Sequence, residues 1–154
     1  MVNMMPKKKK PYIQKVNETT VYCIERPTRK QMAEDIKWIR LKFLRQNLAR
    51  AAGRGEYTKE IDITLDDLYE IGEQQNWKCA LTGIPMEFTR GGEWINGTNP
   101  NSCTLDRDVN WRGYTRDNVQ LTIWKINYIK NSLSTNEFAK ICNLVANHLD
   151  NTDI

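Results

Sequence analysis

Residues 105–118 read LDRDVNWRGYTRDN, and this stretch decides how the second half of the chain is interpreted. It opens with an Asp-Arg pair, turns at Gly113-Tyr114 and closes with an Asp-Asn pair directly before an apolar run. Polar residues crowded between two apolar segments are typical of a loop that a rigid scaffold holds in place. The pattern predicts a short strand over 102–106, then this loop, then a second apolar segment from Val119.

A helix is predicted directly after that segment. Trp124 begins a run of apolar residues at helical spacing that ends near Leu133. The run carries Asn127 and Lys130, and residues three positions apart are neighbours on a helix surface. Because asparagine is mildly unfavourable inside a helix, we expect a metal ion or a loop contact to compensate for Asn127.

Three further helices are predicted from periodicity and capping signals. A long helix is expected over 29–52, where apolar residues recur at helical spacing and glycines follow. Thr64 and Asp67 form a weaker version of the capping box ahead of the second helix. Ser134 and Glu137 form a capping box ahead of the last helix, whose apolar residues also follow the helical period.

The N-terminal residues have a different character. Residues 1–27 lack clear periodicity and contain four consecutive lysines, so we expect a mobile basic arm with a short strand over 20–24. Turn signals at 82–85 and at Asn96-Gly97 predict a short hairpin and a tight turn further along. Residues 28–154 are expected to form one α+β domain, because no later break in composition separates two domains.

Bulk properties exclude several classes of protein. The chain has 154 residues, is 40% hydrophobic and contains five tryptophans, so it can build a core and is not of disordered type. It has no apolar run long enough for a transmembrane helix. The N-terminus is charged but lacks the apolar region of a secretory signal, so a cytoplasmic location is expected.

The four cysteines are far apart and form no C-x-x-C pair. We expect four reduced thiols in or near the core, since a disulfide framework is rare in a chain of this length without a signal peptide. A zinc site built from scattered cysteines is weakly supported, and no zinc is expected. The residues are Cys23, Cys79, Cys103 and Cys142.

The net charge of +4 is unevenly distributed. Residues 37–54 hold six basic and no acidic side chains, whereas acidic residues concentrate in 56–73. A one-sided basic surface favours a polyanionic partner, because neutralising phosphates releases counterions. On charge alone, a solvated helix face explains the pattern about as well.

The predicted strand, loop and helix would bring several polar groups together. A unit of this size places the strand end, Asp106-Arg107, near the helix face that carries Asn127. Carboxylate and amide oxygens are ligands that hard divalent cations accept. Arg107 and Lys130 are suited to holding phosphate oxygens. Asn118 is suited to tying the loop to backbone groups.

This arrangement resembles the HNH (His-Me finger) endonuclease family. The family pattern reads D-H, a loop with glycine, asparagine, an apolar pair, then H or N and a lysine three residues later. The corresponding residues here are Asp106, Arg107, Gly113, Asn118, Val119, Leu121, Asn127 and Lys130. The chain is more narrowly similar to a small, often phage-borne branch with the motif S-L-D-R-I-D, K-G-Y, G-N-V-Q. Residues 61–86 match its upstream block, and the resemblance covers roughly 36–145.

The resemblance implies a ββα-metal core flanked by a basic N-terminal helix and a C-terminal helix. It implies a metal-dependent DNA endonuclease, expected to nick, acting as a monomer or homodimer with Mg²⁺ or Mn²⁺ held by Asp106 and Asn127. It implies a host-cell cytoplasmic location if the protein is phage-encoded, and no membrane partner. The catalytic residues would be Asp106, Arg107, Asn118 and Asn127. The residues expected to contact DNA are Arg107, Lys130, Arg112, Lys37, Arg40, Arg45 and Arg50.

Two departures from the pattern bear on activity. Asp108 is one position earlier than the second acid of the branch, which turns its side chain to the other face of an extended segment. Arg107, shared with the branch, replaces the histidine base of most of the family, and an arginine cannot take a proton from water. His148 is expected to lie at a helix C-terminus and to interact with the helix dipole.

Three possibilities remain for the chemistry of the site. A metal-bound water could supply hydroxide, Tyr114 or Asp108 could act as the base, or cleavage has been lost. The main alternative function is therefore an inactive DNA-binding module or a protein-interaction module that inhibits a host enzyme.

Overall fold

The computed structural model describes residues 12–16, 19–23, 28–30, 35–53 and 60–152. The chain divides into two compact units, residues 1–38 and 39–154. The predicted boundary at residue 27 and the lysine run lie outside the described residues. Within those ranges, no helix has both the length and the apolar character needed to cross a membrane.

The first unit contains an antiparallel hairpin. Strand β1 spans Tyr12–Val16 and β2 spans Thr19–Cys23, with Val16 opposite Thr19 at the closed end. The sequence predicted a strand over 20–24 but treated the residues before it as an arm. The strand that pairs with it, β1, was not predicted.

Helix α1 spans Ile36–Ala52, and its N-terminus is capped by Asp35, whose carboxylate accepts hydrogen bonds from the Lys37 and Trp38 backbone N–H groups. From Ile39 onward the helix belongs to the second unit. The helix ends at the predicted position but begins at Ile36 rather than at residue 29, because Asp35 is not helical. Its buried residues are Phe43, Leu44 and Ala51, whereas Ile36 is exposed.

Helix α2 spans Leu65–Gln74 and follows the two-residue strand β3, Ile61–Asp62. The predicted capping box is confirmed, because Thr64 accepts the Asp67 N–H while the Asp67 carboxylate accepts the Thr64 N–H. Both donors would otherwise lack an intrahelical partner.

A long connection of turns and isolated bridges follows α2. The predicted hairpin is present as a bridge between Lys78 and Pro85, and the tight turn at Asn96-Gly97 forms a short 3₁₀ helix, Ile95–Gly97. Asn96 and Gly97 both have positive φ, which explains this residue pair at the turn.

The elements that position the site lie in the last third of the chain. Strands β4, Cys103–Arg107, and β6, Val119–Ile123, form an antiparallel pair, and β5, Tyr114–Thr115, pairs in parallel with β3. Helix α3, Trp124–Lys130, follows β6 without a connecting loop. The final helix, α4, spans Thr135–Asp150 and begins with the predicted Ser134–Glu137 capping box.

The core of the second unit lies between α1, α2 and one face of the β4–β6 pair. Leu44, Leu68 and Leu121 are each fully buried there. Helix α4 differs, because none of its residues is buried and apolar side chains such as Leu144 remain exposed. The predicted α+β class is confirmed.

Candidate functional site

The β4–β6 pair presents polar side chains to helix α3. Side chains alternate along a strand, so Thr104 and Asp106 share a face, and in the register their partners are Thr122 and Gln120. Asn127 and Lys130 of α3 make hydrogen bonds to residues of this face. The predicted convergence of strand end and helix face is therefore present.

Asp106 is almost fully buried and both carboxylate oxygens have partners. Its Oδ1 lies 3.0 Å from Lys130 Nζ, and its Oδ2 accepts a hydrogen bond of 2.8 Å from Gln120 Nε2. Gln120 Nε2 also donates to Thr135 Oγ1 at 3.0 Å. A buried carboxylate requires such partners, because an unpaired charge is costly away from water.

Lys130 does not occupy the position expected of a phosphate contact. Its side chain is fully buried, and its ammonium also donates to the Arg107 carbonyl oxygen at 2.8 Å. The expected DNA contact is corrected to an internal one, since packing of α3 on β4 directs this lysine into the protein. Its ammonium fixes the position of Asp106 and closes α3 onto the end of β4.

Asn127 is held by two hydrogen bonds from its amide nitrogen. The group donates to Thr104 Oγ1 at 3.0 Å and to the Leu105 carbonyl oxygen at 3.1 Å. These strand contacts compensate for an asparagine inside a helix. They also orient the side chain, whose Oδ1 accepts no hydrogen bond from any described residue.

Arg107 lies at the end of β4 and reaches back across the loop. It donates to Asn110 Oδ1 at 2.7 Å and to the Arg112 carbonyl oxygen at 3.3 Å, and its guanidinium lies 4.8 Å from the Tyr114 ring centroid. These partners are all neutral. No carboxylate of the described part of the chain therefore compensates the positive charge of Arg107 at this site.

Asn118 ties the loop together, as the sequence predicted. Its Oδ1 accepts the Val109 N–H at 2.9 Å, while its Nδ2 donates to the carbonyl oxygens of Val109 at 3.1 Å and Gly113 at 2.8 Å. The side chain is buried and uses both ends of its amide. Asn118 is thus a positioning residue for the loop that carries Asn110 and Arg112.

Asp106, Arg107 and Asn127 line one open cleft of about 480 Å³. Its aromatic wall includes Trp124 and Tyr128, whose rings stack at 4.9 Å between centroids. The full lining is Leu105, Asp106, Arg107, Asn110, Tyr114, Trp124, Asn127, Tyr128 and Asn131. We call this cavity the Asp106 cleft.

Of the side chains that could act as the general base, only some line the Asp106 cleft. Tyr114 lines it, whereas Asp108 lines a different cavity together with Trp111 and Glu137. His148 lies in the last turn of α4, as predicted, and does not line the cleft. In the ranges that the structure describes, no three His, Cys, Asp or Glu side chains cluster in a way that could hold a metal.

The other predicted DNA contacts fall into two groups. Arg40 packs on the core, with its guanidinium 4.1 Å from the Trp77 ring centroid and 4.0 Å from Glu73. Arg112 forms an ion pair with Asp117, and this pairing, with a hydrogen bond from Thr115, lowers the pKa of the Asp117 carboxyl. Arg40 and Arg112 are therefore engaged within the protein.

The remaining predicted basic residues are exposed. Arg45 and Arg50 lie on the surface of α1, and Arg50 lines a second cleft beside the first. Lys37 is also exposed but belongs to the first unit.

Sequence reasoning missed Gln120 and Thr135 as supports of Asp106. The role of Gln120 follows only from the strand register, which places Gln120 opposite Asp106 and is not specified by a sequence motif. No protein-family model matches this chain, and comparison with curated proteins and with solved structures finds no significant match.

Proposed function

We propose that the chain is a metal-dependent DNA endonuclease of HNH type, built on a ββα-metal core formed by β4, β6 and α3. One observation carries the proposal: Asp106, Arg107 and Asn127, drawn from two different elements, line a single cleft. An ionised carboxylate, a guanidinium and an amide oxygen are the groups that metal-assisted phosphodiester hydrolysis needs.

The donor set fits a hard divalent cation. A carboxylate offers about four lone-pair positions, and the described residues donate one hydrogen bond to each oxygen of Asp106. Asn127 Oδ1 is a further oxygen donor that no described residue engages. Asp106 and Asn127 would hold the ion, with water and substrate oxygens completing the octahedral preference of Mg²⁺.

A bound Mg²⁺ or Mn²⁺ supplies polarisation of the scissile phosphate and charge stabilisation at the leaving oxygen. The chain's own residues supply orientation. Lys130 and Gln120 hold the Asp106 carboxylate, and Asn127 is fixed on β4 through its amide nitrogen. Arg107 directs its remaining N–H donors toward a phosphate oxygen, where its charge offsets the developing negative charge. Of the two side chains considered as base, Tyr114 has the better position.

A plasmid-nicking assay with added Mg²⁺ or Mn²⁺ tests the proposal. Asp106→Asn keeps the shape of the side chain but removes the charge, so nicking should fall by at least about a hundredfold. Asp117→Asn is the matched control, because Asp117 is an exposed carboxylate outside the Asp106 cleft. Equal nicking by Asp106→Asn and the wild-type protein would rule out the assigned metal ligand.

The arrangement also supports a second candidate function. Lys130 already neutralises Asp106, and Arg107 replaces a basic histidine, both of which suit a domain that binds DNA without cutting it. Metal-independent DNA binding with no nicking and no Mn²⁺ uptake by calorimetry would favour this alternative. Binding to neither DNA nor metal would favour a protein-interaction module.

A further inference from the structure

A second cleft of about 320 Å³ adjoins the Asp106 cleft and has basic residues on its walls. Four residues line both cavities, so the two adjoin each other: Leu105, Tyr114, Trp124 and Asn127. The residues found only in the second cavity include Asn47 and Arg50 of α1, and Arg90 from the long connection. No function assigned so far uses Arg90.

Three arginines at these clefts have no ionic partner. Among the described residues, Arg50, Arg90 and Arg107 have no carboxylate within ion-pair distance. The same holds for Arg45, which is exposed on α1 away from both clefts. Three other arginines are each paired with a carboxylate: Arg40 with Glu73, Arg112 with Asp117, and Arg116 with both Asp67 and Glu70.

The charge of the combined cavity is accordingly one-sided. Of the residues that the structure describes, Asp106 is the only acidic side chain that lines either cleft, and the buried Lys130 neutralises it. Three guanidinium groups without a described carboxylate partner, on the walls of adjoining clefts, create a positive potential that attracts an anion. Because two of them lie in the second cleft, an anion that contacts all three would extend beyond the Asp106 cleft.

Arg90 is held in place before any ligand arrives. Its Nε donates to Gln46 Oε1 at 3.2 Å, one Nη donates to Asn47 Oδ1 at 3.3 Å, and its guanidinium lies 4.6 Å from the Phe43 ring centroid. Asn47 is itself anchored, since its Nδ2 donates to the Cys103 carbonyl oxygen at 3.0 Å. An arginine fixed by neutral partners retains both charge and N–H donors and loses little side-chain entropy on binding.

We propose that Arg50 and Arg90 form a second phosphodiester subsite, which binds a phosphate of the DNA strand flanking the one held at Arg107. This inference rests on the proposed function for the identity of the strand. The subsite also gives the path of the bound DNA strand, which would run from the Asp106 cleft along Trp124 and Asn127 toward the C-terminal end of α1.

Binding of a short fluorescent DNA duplex, measured with a chelator present, tests the subsite independently of cleavage. Arg50→Gln and Arg90→Gln should each weaken binding on the order of tenfold, because each removes a charge-assisted hydrogen bond. Each should also lower the slope of log affinity against log salt by about 0.9. Lys42→Gln is the matched control, since Lys42 is exposed on the same helix but lines neither cleft.

Two of the variants guard the experiment against misfolding. Arg50 is exposed, so Arg50→Gln tests the subsite without disturbing the core. Arg90→Lys keeps the charge but loses the planar fork, and should retain part of the salt slope that Arg90→Gln loses.

The outcomes separate the two proposals. Weakened binding by Arg50→Gln and Arg90→Gln, with Lys42→Gln close to wild type, supports the subsite even if the protein does not nick DNA. If Arg50→Gln and Arg90→Gln bind as Lys42→Gln does, the subsite is overturned, even if the protein nicks DNA with metal. A wild-type protein that binds an RNA duplex but not the DNA duplex would also overturn it.

Discussion

Lys130 Nζ lies 3.0 Å from Asp106 Oδ1, and both side chains are almost fully buried. Two opposite charges are thus buried together at the junction of α3 and β4. Removing water from both is unfavourable, and their attraction offsets that cost only while both are present. Lys130 therefore fixes the position of the Asp106 carboxylate in the proposed metal site. Because Lys130 is fully buried, it does this without contacting the substrate.

Lys130→Met should destabilise the protein by about 3–5 kcal/mol, because it leaves the Asp106 carboxylate buried without its cation. Urea unfolding followed by circular dichroism measures this change. Lys125→Met, on the exposed part of the same helix, is the control and should change stability by less than about 0.5 kcal/mol. Combining Lys130→Met with Asp106→Asn should recover part of the loss, and strictly additive effects would contradict the coupling.

Asn118→Ala should destabilise the protein by about 2–4 kcal/mol, since three backbone groups lose their partner in a buried site. Asn118→Asp should be no better than alanine, although it preserves the shape. A carboxylate can accept the Val109 N–H but cannot donate to the carbonyl oxygens of Val109 and Gly113. Thermal unfolding of the two variants would contradict this account if Asn118→Asp matched the wild-type protein.

Gly113→Ala should lower the free energy of unfolding by about 1–3 kcal/mol, because a Cβ there would clash with the Glu60 carbonyl oxygen. That oxygen accepts the Tyr114 N–H at 2.8 Å, so the clash falls on the pairing of β3 with β5. Gly91→Ala is the control, since nothing lies within 4 Å of its added methyl group. Amide hydrogen exchange at Tyr114, measured by NMR, should be faster in Gly113→Ala and unchanged in Gly91→Ala.

Thr64→Ala should remove about 1 kcal/mol of stability through loss of the helix cap, whereas Thr64→Ser should stay close to wild type. Hydrogen bonds from Thr64 are the main cause that lowers the pKa of the Asp67 carboxyl. A carboxyl whose pKa is lower in the folded state stabilises the fold above its unfolded pKa. It loses that contribution as the pH falls through its folded pKa. The difference in free energy of unfolding between Thr64→Ala and the wild-type protein should therefore narrow at low pH, as measured by acid unfolding. A difference that stays constant with pH would argue against the stabilising role of the Thr64–Asp67 hydrogen bonds.

Burial raises the pKa of the Cys103 thiol to about 12, with the neighbouring Cys79 as a smaller cause. The thiolate is the reactive form, so Cys103 should resist alkylation in the folded protein while the exposed Cys142 reacts. Mass spectrometry after brief iodoacetamide treatment of a Cys23→Ser variant measures this difference. Modification of Cys103 at the rate of Cys142 without denaturant would contradict it.

Local signals in the sequence predicted the parts of the fold that depend on neighbouring residues. The capping boxes at Thr64 and Ser134 form as expected, since both partners lie within one helical turn. The tie made by Asn118 was also predictable, because asparagine in a polar loop commonly binds nearby backbone groups.

Features that depend on distant elements were not predictable in the same way. The burial of Lys130 follows from how α3 packs on β4, whereas a lysine on a helix is normally solvated. The support that Gln120 gives to Asp106 depends on the strand register, which no short motif specifies. Helix α4 shows the opposite case: its apolar period predicted a helix correctly, but the helix buries none of its residues.

The aromatic wall of the Asp106 cleft gives the molecule an optical signal of its own. Trp94 meets Trp124 edge to face at 5.1 Å, and Trp124 stacks on Tyr128. Because indole transitions at such separations couple, we expect this cluster to contribute a circular-dichroism band that depends on ring geometry. Trp124 borders both clefts, so a molecule entering either one should perturb that band, and occupancy should then be measurable spectroscopically without any attached dye.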